Sequence, residues 1–296
     1  MPHKNPAPVV MFVYNRPKHT EQALESLKKN KPAAQTVLYI YADGPKAGAG
    51  AADLQKISET RALVKKITGF KQVIVVEKEN NEGLARSVIS GVTEVVTKHG
   101  KIIVLEDDLL VSPYFLDYMN EALEMYRDAA HVYSVNGFMF PVKHKGPEVV
   151  LLPYTSTWGW ATWKNKWDVF DEKMKGKELL LSDQKLADKF NLGEYNYTGM
   201  LDFKNNSWGI KWYYSVFMKN GLNLFPANSL VTNIGFDGSG TNCDDVPAPG
   251  NAPAANKIKV QYLEKMDPEF YRNYLRYFKQ SKTRSLVKKT ISYFKK

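Results

Sequence analysis

A chain of 296 residues with 44% hydrophobic and 24% charged residues has the composition of a globular protein, either one large domain or two small ones. Its single cysteine, Cys243, excludes an internal disulfide and fits a reducing compartment, and no apolar run approaches the roughly 18 residues a transmembrane helix requires. The formal charge of +10 is concentrated at one end: from Phe270 onward there are nine basic residues and no acids, which leaves the remaining body at +1 and argues against a general nucleic-acid surface.

The start, MPHKNPAPVVMFVYNRP, turns polar too soon for a signal peptide, so a cytoplasmic location is expected. Pro8–Tyr14 reads as a first strand, followed by Asn15-Arg16-Pro17 and a helix from about Thr20, a candidate cap, to Lys29. Thr36–Tyr41 is a second strand ending at the turn signature Ala42-Asp43-Gly44-Pro45, and a helix covers about Leu54–Thr68. Gln72–Glu77 is a third strand, followed by Asn80-Asn81-Glu82-Gly83 and a helix over Leu84–Thr97. The apolar run Ile102–Leu105 is a fourth, buried strand that stops on Glu106, Asp107 and Asp108; a helix follows, with Phe115, Met119, Leu123 and Tyr126 at helical spacing. Strands alternating with helices over residues 1–126 predict βαβ units and a largely parallel sheet.

After Asp128 the pattern becomes mixed. Short strands are expected at Val132–Asn136 and Val149–Leu152, a tryptophan- and glycine-rich stretch at Tyr154–Trp167, and a polar helical stretch from Asp168 to about Leu192. An apolar helix includes Tyr213–Met218, and the Pro/Ala-rich Asp244–Ala255 reads as a loop. Residues 1–128 are thus expected to form one half of a domain, 129–256 a second half of the same domain, and 257–296 a basic helical tail. In that tail Leu286, Val287, Thr290, Ile291 and Phe294 fall at helical spacing opposite lysines, a pattern suited to an anionic membrane surface.

Three carboxylates at the carboxyl end of a buried strand repel one another unless a cation or hydrogen-bond donors compensate them, and ligands of open α/β sheets bind at that end. Such hard oxygens suit Mg²⁺ or Mn²⁺ carrying a phosphorylated substrate; the competing reading is an acidic turn capping the next helix. Arg16 could pair with a phosphate, Asp43 could accept from a base or ribose, and Arg86, in the first turn of its helix, points to an anionic partner. Neither G-x-G-x-x-G after the first strand nor G-x-x-x-x-G-K-[ST] is present, which disfavours dinucleotide oxidoreductases and P-loop enzymes.

Phe12–Pro17, Tyr39–Gly44, Asn80–Arg86 and Val104–Tyr118 resemble the successive nucleotide-binding segments of GT-A-fold glycosyltransferases. VLEDDLLVSPYFLDY is especially similar to the acidic motif of the N-acetylglucosaminyltransferase I type, and Thr157–Trp163 resembles its acceptor-side segment. Related bacterial surface-polysaccharide transferases share these segments and the run from Ser207 to Asn242, so the likeness spans about Pro8–Asn242. It implies a mostly parallel α/β sheet flanked by helices with a mixed acceptor-side second half. It also implies inverting transfer of a hexosyl or N-acetylhexosaminyl group from a nucleotide diphosphate donor, UDP-sugar above others, to a glycan or lipid-linked glycan. The expected setting is surface-polysaccharide or lipopolysaccharide synthesis, in the cytoplasm or peripheral on the inner membrane face, without nucleic acid.

By that resemblance Asp108 binds Mn²⁺ or Mg²⁺, Glu106 and Asp107 contact ribose or the metal's waters, Asp43 faces the base, and Arg16 and Arg86 take the ribose-phosphate side. The family's acid between two tryptophans is missing from Trp208-Gly209-Ile210-Lys211-Trp212. Asp202 is therefore the first substitute as catalytic base, with Asp237 and Asp171 as others. Where related folds supply a late histidine to the metal, this chain has Asn242. Trp158 and Trp160 are candidates for stacking an acceptor sugar, although aromatics at such spacing are more often core. The rival readings are a sugar nucleotidyltransferase, disfavoured by the absence of glycine in Asn15–His19, a degenerate transferase that only binds glycan or membrane, and a retaining transferase.

Overall fold

The computed structural model describes residues 5–193, 195–201, 207–238 and 253–279. Among the described residues there are ten strands: β1 (Val9–Val13), β2 (Val37–Ala42), β3 (Gln72–Glu77), β4 (Lys101–Glu106), β5 (Leu109–Val111), β6 (Val132–Asn136), β7 (Val149–Leu152), β8 (Trp160–Trp163), β9 (Leu222–Pro226) and β10 (Val231–Asn233). The helices are α1 (Pro17–Lys28), α2 (Ala51–Lys65), α3 (Leu84–His99), α4 (Phe115–Met125), α5 (Lys164–Trp167), α6 (Lys177–Ser182), α7 (Gln184–Phe190) and α8 (Trp208–Phe217), with α9 over residues 268–279.

Eight strands form one sheet in the order β3-β2-β1-β4-β8-β6-β9-β7. β1 pairs in parallel with β2 and β4, β2 with β3, and β6 with β9, while β8 and β7 are antiparallel to their neighbours. The fold is thus the expected α/β type, a mostly parallel sheet flanked by helices. The sheet is continuous from the first four strands into the later ones, so the two halves share one β-layer.

Alternation along the strands explains why both faces are covered. Val9, Met11 and Val13 point to the side packed by α1 and α4, whereas Val10 and Phe12 point to the side packed by α3 and α8. β4 divides likewise, Ile103 and Leu105 to the first side and Ile102 and Val104 to the second. Strands buried on both faces read as continuous apolar runs, which is why these were visible in the sequence. The second face is filled by Trp160, Trp167, Trp208 and Trp212, whose rings lie 5.1–5.8 Å apart.

Two local expectations are corrected. The first helix starts at Pro17, with Arg16 as its N-cap residue. Thr20 lies inside it, fully buried, and its hydroxyl donates to the Arg16 carbonyl at 2.9 Å. Proline suits the first helical position because its missing N–H would be unpaired there anyway. The polar stretch after Asp168 divides into α6 and α7, because Asp183 accepts from the backbone N–H groups of Lys185 and Leu186 and starts a new helix. Among the described residues no helix is long and apolar enough to cross a membrane.

The loops after β2 and β3 touch closely at Gly44, where a Cβ atom would lie 2.4 Å from the backbone carbonyl carbon of Asn80. Gly44→Ala is therefore expected to lower stability by about 2 kcal/mol, in the range of an overpacked site, measured as a lower midpoint in urea.

Candidate active site

Parallel pairing brings four strand ends to one edge. Val13 is level with Ala42, Ala42 with Glu77, and Phe12 with Glu106. The segments that follow, Tyr14–Arg16, Asp43, Lys78–Gly83 and Asp107–Asp108, must then emerge side by side. β8 enters at this edge because Trp160 pairs with Val104, which sets Trp158 beside the acidic turn. β10 pairs antiparallel with β5, and the Ile234 N–H donates to the Asp108 carbonyl at 2.8 Å. Together these elements enclose a cleft of about 720 Å³ whose lining includes Arg16, Asp43, Lys46, Glu106, Asp107 and Asp108. Ser87, Trp158, Trp208 and Asn233 also line it.

The electrostatic centre is Arg16. Its Nη2 donates to Asp107 Oδ1 and, at 3.0 Å, to Asp108 Oδ2, while Nε donates to Asp107 Oδ2 at 3.3 Å. Burial works against the guanidinium charge, yet Asp107 and Asp108 outweigh it and raise its pKa. One cation does not balance three acids. Burial, helped by Asp108 and Asp107, pushes Glu106 up to about 8. Burial also lifts Asp107 to about 6, although Arg16 pulls it down.

Asp43 is engaged differently. Its carboxylate accepts from the backbone N–H groups of Gly44 at 2.9 Å, Glu82 at 2.9 Å and Gly83 at 3.0 Å. Three of roughly four lone-pair positions are thereby used, and the contact ties the start of α3 to the end of β2. Arg61 reinforces the join by donating to the carbonyls of Asp43 and Lys78 at 3.2 and 2.6 Å.

The structure sorts the other candidates. Arg86 is in the first turn of α3 but is exposed and lies outside the cleft, in a shallower hollow with Ile89, Ser90, Thr93, Glu94 and Glu172. Trp158 lines the cleft, edge-on to Phe138 and Phe236 at 4.5 and 5.6 Å. Trp160 does not reach it: the side chain is fully buried against Trp167, Trp208 and Trp212, and Trp208 borders the cleft instead. Asp237, not among the cleft-lining residues, has its Oδ2 3.1 Å from His19 Nε2. Asp171 is not among the cleft-lining residues; it accepts from the N–H groups of Lys173 and Lys175 and shapes a turn. Asp202 and Asn242 lie outside the described residues; Met200 and Ser207, either side of the Asp202 segment, both line the cleft.

Sequence reasoning missed Lys46, Ser87, His19, Asn233 and Gly235. Lys46, following the Asp43-Gly44-Pro45 turn, is the one with a local signal. Ser87 is buried, lines the cleft, and its hydroxyl has no hydrogen-bond partner among the described residues. Gly235 is where β10 closes over the acids: its N–H donates to Asn233 Oδ1 at 2.7 Å, and a Cβ would lie 2.3 Å from Asp108 Oδ2.

Residues 9–155 match the sequence model of glycosyl transferase family 2. The chain is a GT-A-fold glycosyltransferase. The matched segment runs from β1 through the acidic turn to the strands beyond it, so it contains Arg16, Asp43 and Glu106–Asp108. Solved structures with similar chains include mouse xyloside xylosyltransferase 1 in its apo form, with 12% identity, TM-score 0.38, and coverage of 74% of this chain and 83% of that one. TarS of S. aureus is another, with 13% identity, TM-score 0.39, and coverage of 75% of this chain and 35% of that one. A comparison with curated protein sequences gives no match.

Two outcomes follow for this site. Glu106 is held protonated in the fold up to about pH 8 but ionises near its ordinary 4.5 when unfolded. The folded state thus binds the extra proton, its stabilisation is full below 4.5, and it is lost as pH rises towards 8. Without ligands, the melting temperature should fall across that window, and Glu106→Gln should flatten the fall. Asp43→Ala would leave three backbone N–H groups without their acceptor and should lower stability by about 3 kcal/mol, read by chemical denaturation.

Proposed function

We propose that the cleft binds a nucleotide diphosphate sugar, a UDP-sugar in the first instance, and that the enzyme transfers the sugar with inversion to a glycan or lipid-linked glycan. The supporting observation is the meeting of Arg16 with Asp107 and Asp108 in one cleft at the carboxyl edge of parallel strands. In this reaction negative charge develops on the leaving diphosphate, and fixed positive groups at that point lower the barrier because they need not reorganise. Arg16, already held in place by two carboxylates, and Lys46 at the rim are the chain's own cations for that task.

The residues also fit a divalent cation. Mg²⁺ and Mn²⁺ sites of this kind use one or two carboxylates and complete their shell with phosphate oxygens and water, not an all-protein cage. Among the described residues no three acidic, histidine or cysteine side chains form such a cage. Asp108, supported by Asp107, would hold the ion. When bound, it would neutralise charge on the diphosphate. The excess of acid over base around Arg16 is the electrostatic reason for the fit.

On the donor side, Asp43 acts in this reading by positioning the start of α3, and Ser87 contributes to the cleft wall below it. Trp158 and Trp208 present aromatic surface for sugar C–H faces. The acceptor hydroxyl requires a carboxylate base. Asp202 is the first choice because Met200 and Ser207, which flank it in the chain, line the cleft; Asp237, beside His19, is the second.

The test separates donor from acceptor chemistry. Released nucleoside diphosphate is measured for a panel of UDP-sugars with Mn²⁺, with and without glycan acceptors. Asp202→Asn should lower transfer by about 10²–10⁴-fold, the usual contribution of a general base, while nucleotide affinity stays unchanged. Full transfer by that variant would remove Asp202 from the mechanism and pass the role to Asp237. Gly235→Ala, which forces a methyl group against Asp108, should weaken nucleotide binding with little change in the urea midpoint.

A further inference from the structure

The helix α9 begins on a well-formed cap. Asp267 accepts from the N–H groups of Glu269 and Phe270 at 2.8 and 3.3 Å, and Pro268 stands at its first position. Phe270, Tyr274 and Phe278 recur at four-residue intervals and are buried against Met139, Val142, Val150, Leu152 and Phe225. This anchors one side of the helix to the β7–β9 edge of the sheet. The opposite side must then face outward, and Arg272, Arg276 and Lys279, all exposed, occupy it. Glu269 in the first turn is the only acid in the helix.

A second strip lies beside it. Phe140 packs on Tyr277 and Phe278 at 5.6 and 5.0 Å, and His144 packs on Phe270 at 4.9 Å, so the segment after β6 runs along α9 in the opposite direction. His144 is flanked by Lys143 and Lys145, both exposed. At the far end of α9, Tyr195 is 48% exposed and touches Phe278 at 6.0 Å. Two exposed basic groups, Arg272, Arg276 and Lys279 on α9 and Lys143 and Lys145 on the strip beside it, are thus carried by elements that pack together, with Tyr195 at one end.

We propose that this face of α9, with Lys143, Lys145 and Tyr195, docks the enzyme onto an anionic lipid surface. The charge is of the right sign, and it continues without an acid through Lys296 in a segment whose Leu286, Val287, Ile291 and Phe294 fall at helical spacing. A nucleic-acid partner would use the charge and could stack a base on Tyr195, but it would not need those apolar positions; an aromatic ring with one polar end also suits the lipid headgroup boundary. Docking of this kind is peripheral and electrostatic, so salt should screen it.

The full chain is sedimented with vesicles of phosphatidylcholine containing phosphatidylglycerol, and with vesicles of phosphatidylcholine alone. Binding is expected only to the anionic vesicles and should disappear at high salt. The combined variant Arg272→Ala, Arg276→Ala and Lys279→Ala should weaken binding on the order of a hundredfold, at about fivefold per basic residue, with an unchanged thermal midpoint. Lys143→Ala with Lys145→Ala provides a second variant remote from the helix and should weaken it on the order of twentyfold. Equal binding to both vesicle types, full binding by either variant, or tighter binding to an RNA oligomer than to vesicles would overturn the proposal.

Discussion

The contact between Arg16 and the Asp107–Asp108 pair is the constraint on which the site depends. It joins the N-cap residue of the first helix to the residues that follow the fourth strand, and the parallel register of β1 against β4 brings them together. Without a cation there, three adjacent acids could not sit in a half-enclosed cleft. With Arg16 alone in contact with them, the acids remain short of positive charge, and burial together with Asp107 and Asp108 holds the proton on Glu106. A site in that electrostatic condition favours a ligand that brings a cation with it, which is what a nucleotide diphosphate with a divalent ion would do.

Around this centre the fold supplies rigidity from both sides. α1 and α4 press on one face of the sheet and α3 and α8 on the other, so each strand end is fixed from above and below. Asp43 ties the third loop to the second strand, and β10 lays Asn233 and Gly235 over Asp108. The tryptophan group of Trp160, Trp167, Trp208 and Trp212 packs behind the wall of the cleft that Trp208 lines. Only Trp208 of the four reaches the cleft, so most of this aromatic surface serves packing.

Strands β1 to β4 and the acidic turn were legible in the sequence, because burial on both faces writes continuous apolar runs and a buried strand ending in three acids is physically anomalous. The order of polar residues at the sheet edge followed from the βαβ pattern. What was not legible arrives through distant pairing. Gly235 and Asn233 come to Asp108 by the pairing of β10 with β5, more than a hundred residues apart in the chain, and nothing local marks them. Asp43 was legible as a turn residue, but its use by the amides of Glu82 and Gly83 depends on where the next loop lands. Trp160 and Trp158, two residues apart, point to opposite sides of the edge, and aromatic spacing alone does not reveal which one faces the cleft. Arg86 occupies its expected helical turn, yet its side chain leaves the cleft because α3 turns that position outward. Asp202, Asn242 and the basic tail beyond residue 279 fall outside the described residues.

The most direct measurement of the central claim is a thermal-shift series with nucleoside diphosphates, with and without Mn²⁺, on the natural chain and on Asp108→Ala. A ligand present at about 100 times its Kd adds roughly 2.7 kcal/mol of apparent stability. The account predicts that UDP with Mn²⁺ raises the melting temperature of the natural chain, and that Asp108→Ala abolishes the metal-dependent part of that rise. A natural chain that no nucleotide stabilises with any divalent ion, or an Asp108→Ala variant that responds as the natural chain does, would contradict it.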